Sequence, residues 1–163
     1  MRQKFLFVAF ALLALSLGFS SCSNDDDVID NNSIVGTWKF TVATAEVESN
    51  SERNDGLIGA YVIARATEQN EGVILTFRAN GTYEVSGTAD SWTGTYTFSD
   101  GVLVLDGVSH NASISSSVLT LYFDSTDEFE NAELDKLIRI GITDIFTGFS
   151  VSKVIERISF ARQ

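Results

Sequence analysis

Between Trp92 and Ser99 the chain alternates cleanly: Trp92, Tyr96 and Phe98 fall on one face, Thr93, Thr95 and Thr97 on the other. That period of two is the mark of a half-buried strand. Val73 to Arg78 and Thr82 to Ser86 read as two more strands around Ala79-Asn80-Gly81, where Asn-Gly supplies the positive φ angles of a tight hairpin. Asp100-Gly101 turns the chain into Val102–Leu105, and Asp106-Gly107 turns it again towards Ala112 and Ile114. Val118 to Phe123 and Val151 to Ala161 follow, and Ile34 to Val47 stands at the start. Eight short strands at regular spacing predict a sandwich or a barrel.

Two stretches break the alternation. Gly56 to Gln69 is rich in Ala, with apolar residues nearly all round, and reads as a helix. From Glu128 to Phe149 a second helix is predicted, because Leu134, Leu137 or Ile138, Ile142, Ile145 and Phe149 recur at helical spacing. Ser125-x-x-Glu128 has the form of a capping box, and Asp127, Glu128 and Glu130 suit the positive end of a helix. There is no proline, so the turns fall to Gly, Asn, Asp and Ser.

The first 33 residues follow another pattern. Arg2 and Lys4 precede an almost wholly apolar run from Phe5 to Leu17, then Gly18-Phe19-Ser20-Ser21-Cys22. As a helix that run covers about 20 Å, short of a hydrocarbon core of about 30 Å. A basic start, a short apolar run and small residues are the form of a secretory signal; a retained membrane anchor is the competing reading. Residues 1–21 are therefore expected to be a removed signal peptide. Phe19-Ser20-Ser21-Cys22 resembles the lipobox of bacterial lipoproteins, although Phe19 stands where an aliphatic residue is usual. That resemblance implies lipidation of Cys22, against an ordinary secretory signal with an incidental cysteine.

Cys22 is the only cysteine, so no intrachain disulfide can form, and a thioether would account for an otherwise unpaired thiol. Residues 22–33 then form an acidic tether, poor in core-forming residues, with a reach of about 17–20 Å over eleven flexible positions. Asp25-Asp26-Asp27 directly after the cysteine is similar to the export signal of some surface-exposed outer-membrane lipoproteins. The plainer reading is a solvated linker. The expected location is the outer membrane, lipid-anchored, on its periplasmic or its outer face.

Charge narrows the partners. Once residues 1–21 are removed, nine basic residues face 22 acidic ones, a net charge of −13. Nucleic acid is excluded as a partner, since affinity there rests on Lys and Arg neutralising phosphates. Residues 34–163 have the usual size of one domain, expected to be monomeric.

Ile34-Val35-Gly36-Thr37-Trp38-Lys39-Phe40 resembles the Gly-x-Trp first strand of lipocalin-like barrels. Leu75-Thr76-Phe77, Asn80-Gly81-Thr82-Tyr83, Gly94-Thr95-Tyr96 and Leu119-Thr120-Leu121 look like the later strands of bacterial lipocalin-like lipoprotein domains, an uncharacterised subgroup. The resemblance implies an all-β fold with added helices: an eight-stranded antiparallel calycin barrel, with a helix after the first strand and one before the last. It also implies that Trp38 closes one barrel end under a basic residue of the last strand, for which Arg162 is the candidate. The early helix departs from the lipocalin pattern. Asp124-Ser125-Thr126 also fits the short O-glycosylation acceptor pattern of resembling lipoproteins.

The side chains expected to point inward are Trp38, Phe40, Phe77, Tyr83, Val85, Trp92, Tyr96, Phe98, Leu103, Leu105, Ile114, Leu121, Phe123 and Phe160. Such a set either fills an eight-stranded barrel or lines one small cavity. For a cavity, the expected contacts are Trp38, Phe77, Trp92 and the polar tips of Tyr83, Tyr96 and Arg162. The expected role is non-enzymatic binding, of a small apolar ligand in the barrel or of a protein partner at the surface of a filled one.

A hydrolase is the third reading. It would need His110, the only histidine, beside a serine and an acid, yet no Gly-x-Ser-x-Gly elbow is present. The acidic cluster Asp124, Asp127, Glu128, Glu130 and Glu133 lacks the order and glycine of an EF-hand loop and reads as a solvated helix start. No metal or cofactor is expected.

Overall fold

The structure, a computed structural model, describes residues 33–143 and 148–163. The expected signal segment, Cys22 and Asp25–Asp27 lie outside the described residues, as does Ile145.

Eight antiparallel strands close into a barrel in sequence order. They are β1 (Gly36–Ser49), β2 (Ile74–Phe77), β3 (Thr82–Ser86), β4 (Trp92–Ser99), β5 (Val102–Leu105), β6 (Val108–Ser115), β7 (Val118–Asp124) and β8 (Val151–Arg162). Helix α1 (Glu52–Asn70) follows β1, and two short helices, α2 (Thr126–Glu130) and α3 (Leu134–Arg139), precede β8. Closure pairs β1 with both β2 and β8, so every strand has a partner on each side for at least part of its length. Among the described residues the barrel and its helices enclose two apolar cores. Among the described residues no helix is long and apolar enough to cross a membrane.

The tight turns follow local chemistry. Asp100-Gly101 and Asp106-Gly107 both take positive φ at each residue, the mirror-image turn that matches strand twist. Asn80-Gly81 differs from expectation: only Gly81 enters the left-handed region. Asn80 instead accepts hydrogen bonds at its side-chain oxygen from the Thr82 amide (3.1 Å) and hydroxyl (2.7 Å).

One interior cluster joins Trp38, Leu75, Phe77, Tyr83, Val85, Leu103, Leu119, Leu121, Ile158 and Phe160. Of the inward set read from the sequence, only Trp92 stands outside this cluster and the residues packed against it. A bulge between Phe40 and Val42 shifts the β1 register. Val42, inward by simple alternation, is 49 % exposed, and Ala43 is buried opposite Ile158 in its place.

Beyond the bulge β1 and β8 continue as a long ribbon, and its inner face forms a second core. Ile58 and Val62 of α1 meet Phe129, Leu137, Ile142, Val151 and Val154 there, with Ala45 and Val47 alongside. The buried α1 stripe runs Asn54, Ile58, Val62, Ala66, four residues apart on one helix face. Fully burying Ile58 and Val62 contributes about 1.5–3 kcal/mol each. This helix rests mainly on β1 and, less, on β8, so it covers one side of the barrel mouth.

The predicted helix from Glu128 to Phe149 is corrected to two short ones separated near Asn131–Glu133. Leu137 and Ile142 are buried, but Leu134 and Ile138 are exposed, so the periodic positions do not share one buried face. The capping box is corrected too, because Ser125 makes no side-chain cap. The Thr126 amide donates to Asp124 Oδ1 (2.9 Å), and Glu128 turns to cationic partners.

Candidate functional site

The two ends of the barrel differ. At one end the chain entering at Ser33 crosses the opening. The Trp38 indole donates to the Ile34 carbonyl (2.8 Å), and Arg162 donates to the carbonyls of Val35 (3.2 Å) and Ser33. The Arg162 guanidinium carbon lies 4.4 Å from the Trp38 ring centroid, within cation–π range. Trp38 is fully buried. These two residues therefore seal an end and do not line an opening.

Phe77 and Tyr96 sit on the inner wall, their rings in edge contact at 4.9 Å, with Tyr83 beyond Phe77 at 6.2 Å. Tyr96 donates its hydroxyl to the Arg78 carbonyl (2.9 Å). Tyr83 donates its own to Asp106 Oδ2 (2.8 Å). Both phenols are thus satisfied by the protein.

Tyr83 and Asp106 meet over Gly94, where a side chain has no room: an added Cβ would lie 2.4 Å from Asp106 Oδ2 and 2.6 Å from Tyr83 Cε1. Burial, reinforced by the Asp106 charge, pushes the Tyr83 hydroxyl up to about 12, against a smaller opposing hydrogen bond from Trp92. The Thr95 amide (2.8 Å) and the Tyr83 hydroxyl hold Asp106 below the usual carboxylate range, with burial working the other way.

Trp92 is corrected from an interior residue to a rim residue. It pairs with Val85 on the inner face but stands first in β4, and it is 51 % exposed. Val108, opposite the inward Leu105, is 45 % exposed at the same end. Leu105, His110 and Phe123 also face inward and are only half-buried. Water therefore reaches the interior along β4 to β7, on the side of the mouth away from α1.

His110 belongs to β6 and faces inward, in phase with the buried Ala112. Its ring abuts Phe123 at 5.3 Å, and burial lowers its pKa. Glu156 was missed altogether. It lies on the inner face of β8 at 6 % exposure, opposite Phe123 on one side and Ala45 on the other. Arg65 of α1 donates to Glu156 Oε2 (3.2 Å) and to Glu128 Oε1 (2.5 Å), and Lys136 donates to the same Glu128 oxygen (2.7 Å). Burial alone would lower the Arg65 pKa, but Glu128 and Glu156 together raise it. Four charged side chains thus tie α1, α2, α3 and β8 together across the mouth. The signal for Glu156 was present, since it shares phase with Ile158 and Phe160, but an acid within an apolar phase reads first as an outward residue.

Among the described residues no group of three or more His, Cys, Asp or Glu side chains could hold a metal ion. The fold and the site define a class: a closed eight-stranded antiparallel barrel, sealed at one end and half-covered by helices at the other, a form that fits a binding module. No family model matches the chain, and no curated protein matches it. Among solved structures, a DUF4847 family protein from Bacteroides vulgatus ATCC 8482 is similar, with 16 % identity and a TM-score of 0.40, covering 78 % of this chain and 92 % of that one.

Proposed function

We propose that this protein is a lipid-anchored, lipocalin-like binding module that carries a small apolar ligand through the uncovered side of its barrel mouth, without catalysing a reaction on it. The observation that carries this reading is the solvent exposure of the inward-facing Trp92, Leu105, Val108, His110 and Phe123. Inward apolar side chains that stay wet gain free energy when an apolar guest displaces that water, about 25 cal/mol per Å² removed. A binding role without catalysis is supported by the surroundings of His110: its contact is the Phe123 ring, and among the described residues no serine or acid hydrogen-bonds to it. Native mass spectrometry and apolar-dye titration of the chain from Ser23 onward test the carrier. Bound apolar mass or saturable dye uptake is expected; a clean apo mass with no uptake would sink the reading.

A second reading has its own support. The sealed half is filled, with Trp38, Phe77, Leu103, Leu119 and Phe160 at 2 % exposure or less, and a wholly filled barrel would act through its surface. Absence of dye uptake together with binding of a protein partner would favour it.

The anchor rests on Cys22 and its lipobox-like setting. One acyl chain holds only marginally, whereas a diacylglyceryl group anchors stably. Outer-membrane placement rests on Asp25-Asp26-Asp27 after the cysteine. Cys22→Ser should move the protein from the membrane to the soluble fraction; continued retention would count against lipidation.

A further inference from the structure

Phe98, Leu103, His110, Phe123, Glu156 and Ala45 form one belt across the inner faces of β4 to β8 and β1, its last two members where the β1–β8 ribbon leaves the barrel. Phe98 pairs with Leu103, Leu103 with His110, Phe123 with Glu156 and Glu156 with Ala45, while the His110 and Phe123 rings touch. Two polar groups interrupt this apolar belt. Glu156 is already matched, because Arg65 reaches it from α1. His110 is not: no protein group hydrogen-bonds to its ring nitrogens among the described residues, although the ring faces the wet side of the interior.

The tyrosines and carboxylates named at this space each have a protein partner. Tyr83 and the Thr95 amide hold Asp106, and Tyr96 bonds the Arg78 carbonyl. Arg162 is held at the sealed end by the Val35 and Ser33 carbonyls and the Trp38 ring, its Nε buried there without a partner, and Arg65 is shared between two carboxylates. The belt and rim therefore offer an incoming molecule one unused donor and acceptor, no unpaired cation, and two carboxylates nearby.

We infer that the barrel takes an apolar ligand with an uncharged hydroxyl head, which hydrogen-bonds to His110, and that it rejects the corresponding carboxylate. The inference rests on the carrier reading. A neutral imidazole presents one N–H donor and one acceptor nitrogen, the complement of a hydroxyl, which both gives and accepts. A carboxylate would enter a low-dielectric space beside Glu156 and Asp106 with no free cation to meet it, the costly case for a buried charge. The apolar tail would lie over Phe123, Leu105, Val108 and Trp92.

The test compares decane, 1-decanol and decanoate, each below its aggregation limit, at pH 8. They are titrated into the chain from Ser23 onward and followed by tryptophan fluorescence, to which the rim residue Trp92 contributes, and by native mass spectrometry. Decanol should bind at least tenfold more tightly than decanoate. His110→Leu should weaken decanol about three- to tenfold, the loss of one neutral hydrogen bond, and leave decane within twofold. His110→Gln, which keeps a donor and an acceptor, should restore most of the decanol affinity. Equal or tighter binding of decanoate overturns the inference and leaves the carrier reading standing, as does a His110→Leu variant that loses decane and decanol alike. Failure of all three probes to bind overturns the carrier reading itself. If neither variant folds, the wild-type ratio of decanol to decanoate decides.

Discussion

The Arg162 guanidinium carbon sits 4.4 Å from the centroid of the Trp38 ring, joining the last strand of the barrel to the first. Their backbones are register partners, and the same Arg162 side chain holds the Ser33 and Val35 carbonyls of the segment that crosses the end. Arg162→Ala should therefore lower stability by about 2 kcal/mol, combining a cation–π contact with lost hydrogen bonds. Arg162→Lys should recover only part of this, since an ammonium cannot supply the planar fork. Urea denaturation monitored by tryptophan fluorescence measures both, and an Arg162→Ala midpoint equal to wild type would remove Arg162 from the closure.

Close approach makes Gly94 a second sensitive point. The Tyr83 ring and Asp106 carboxylate occupy the space that a methyl group would need, so Gly94→Ala should cost about 1–3 kcal/mol through overpacking. Gly56 is the contrast: it is helical and exposed, with nothing within 4 Å of an added Cβ. Gly56→Ala should stabilise by about 0.5–1 kcal/mol. Thermal melts of the two variants should move in opposite directions.

Strand content was legible in the sequence because period-two alternation and Asp-Gly turns are local signals. Closure at the sealed end was legible through the Trp38 and Arg162 resemblance. The β1 bulge was not, because one extra residue leaves the apolar pattern looking continuous while it turns Val42 out and Ala43 in. The belt was hidden for a related reason. Glu156 becomes an interior residue only because β1 and β8 outrun the barrel and Arg65 arrives from a helix 91 residues earlier, a pairing that no local pattern encodes. The predicted single helix is two because its periodicity carries no mark at Asn131–Glu133, where the chain leaves the helix between the buried Phe129 and Leu137.

The Arg65–Glu156 pair should behave as a matched buried charge. Arg65→Met strands Glu156 at 6 % exposure and should destabilise by about 3 kcal/mol, the scale of an uncompensated buried partner. Arg65→Met combined with Glu156→Leu should recover most of that loss, because removing both charges removes the desolvation problem. A double-mutant cycle in urea gives the coupling, and simple additivity of the two single variants would contradict the pairing.

His110 gives the fold a weak acid sensitivity whose sign follows from its surroundings. Burial lowers its pKa below the ordinary value of 6.5, and the side chains of β5 and β7 against it, Leu103 and Phe123, are uncharged. Glu156, Asp106, Tyr83 and Arg65 are the titratable groups facing the same space, and each already has a protein partner. Below pH 6.5 the unfolded chain takes up the His110 proton first, so it binds more protons than the folded chain and stability falls as pH drops. Asp106, Asp124 and Glu128 act lower. Their folded values lie below the ordinary 3.8 to 4.5, so their contribution is complete above that range and fades as pH falls through the folded values. Between pH 7.5 and 5.5 the wild-type urea midpoint should therefore decline, and His110→Leu should flatten the decline without changing the loss below pH 4. Equal slopes in the two proteins over that window would place His110 in water and not in the belt.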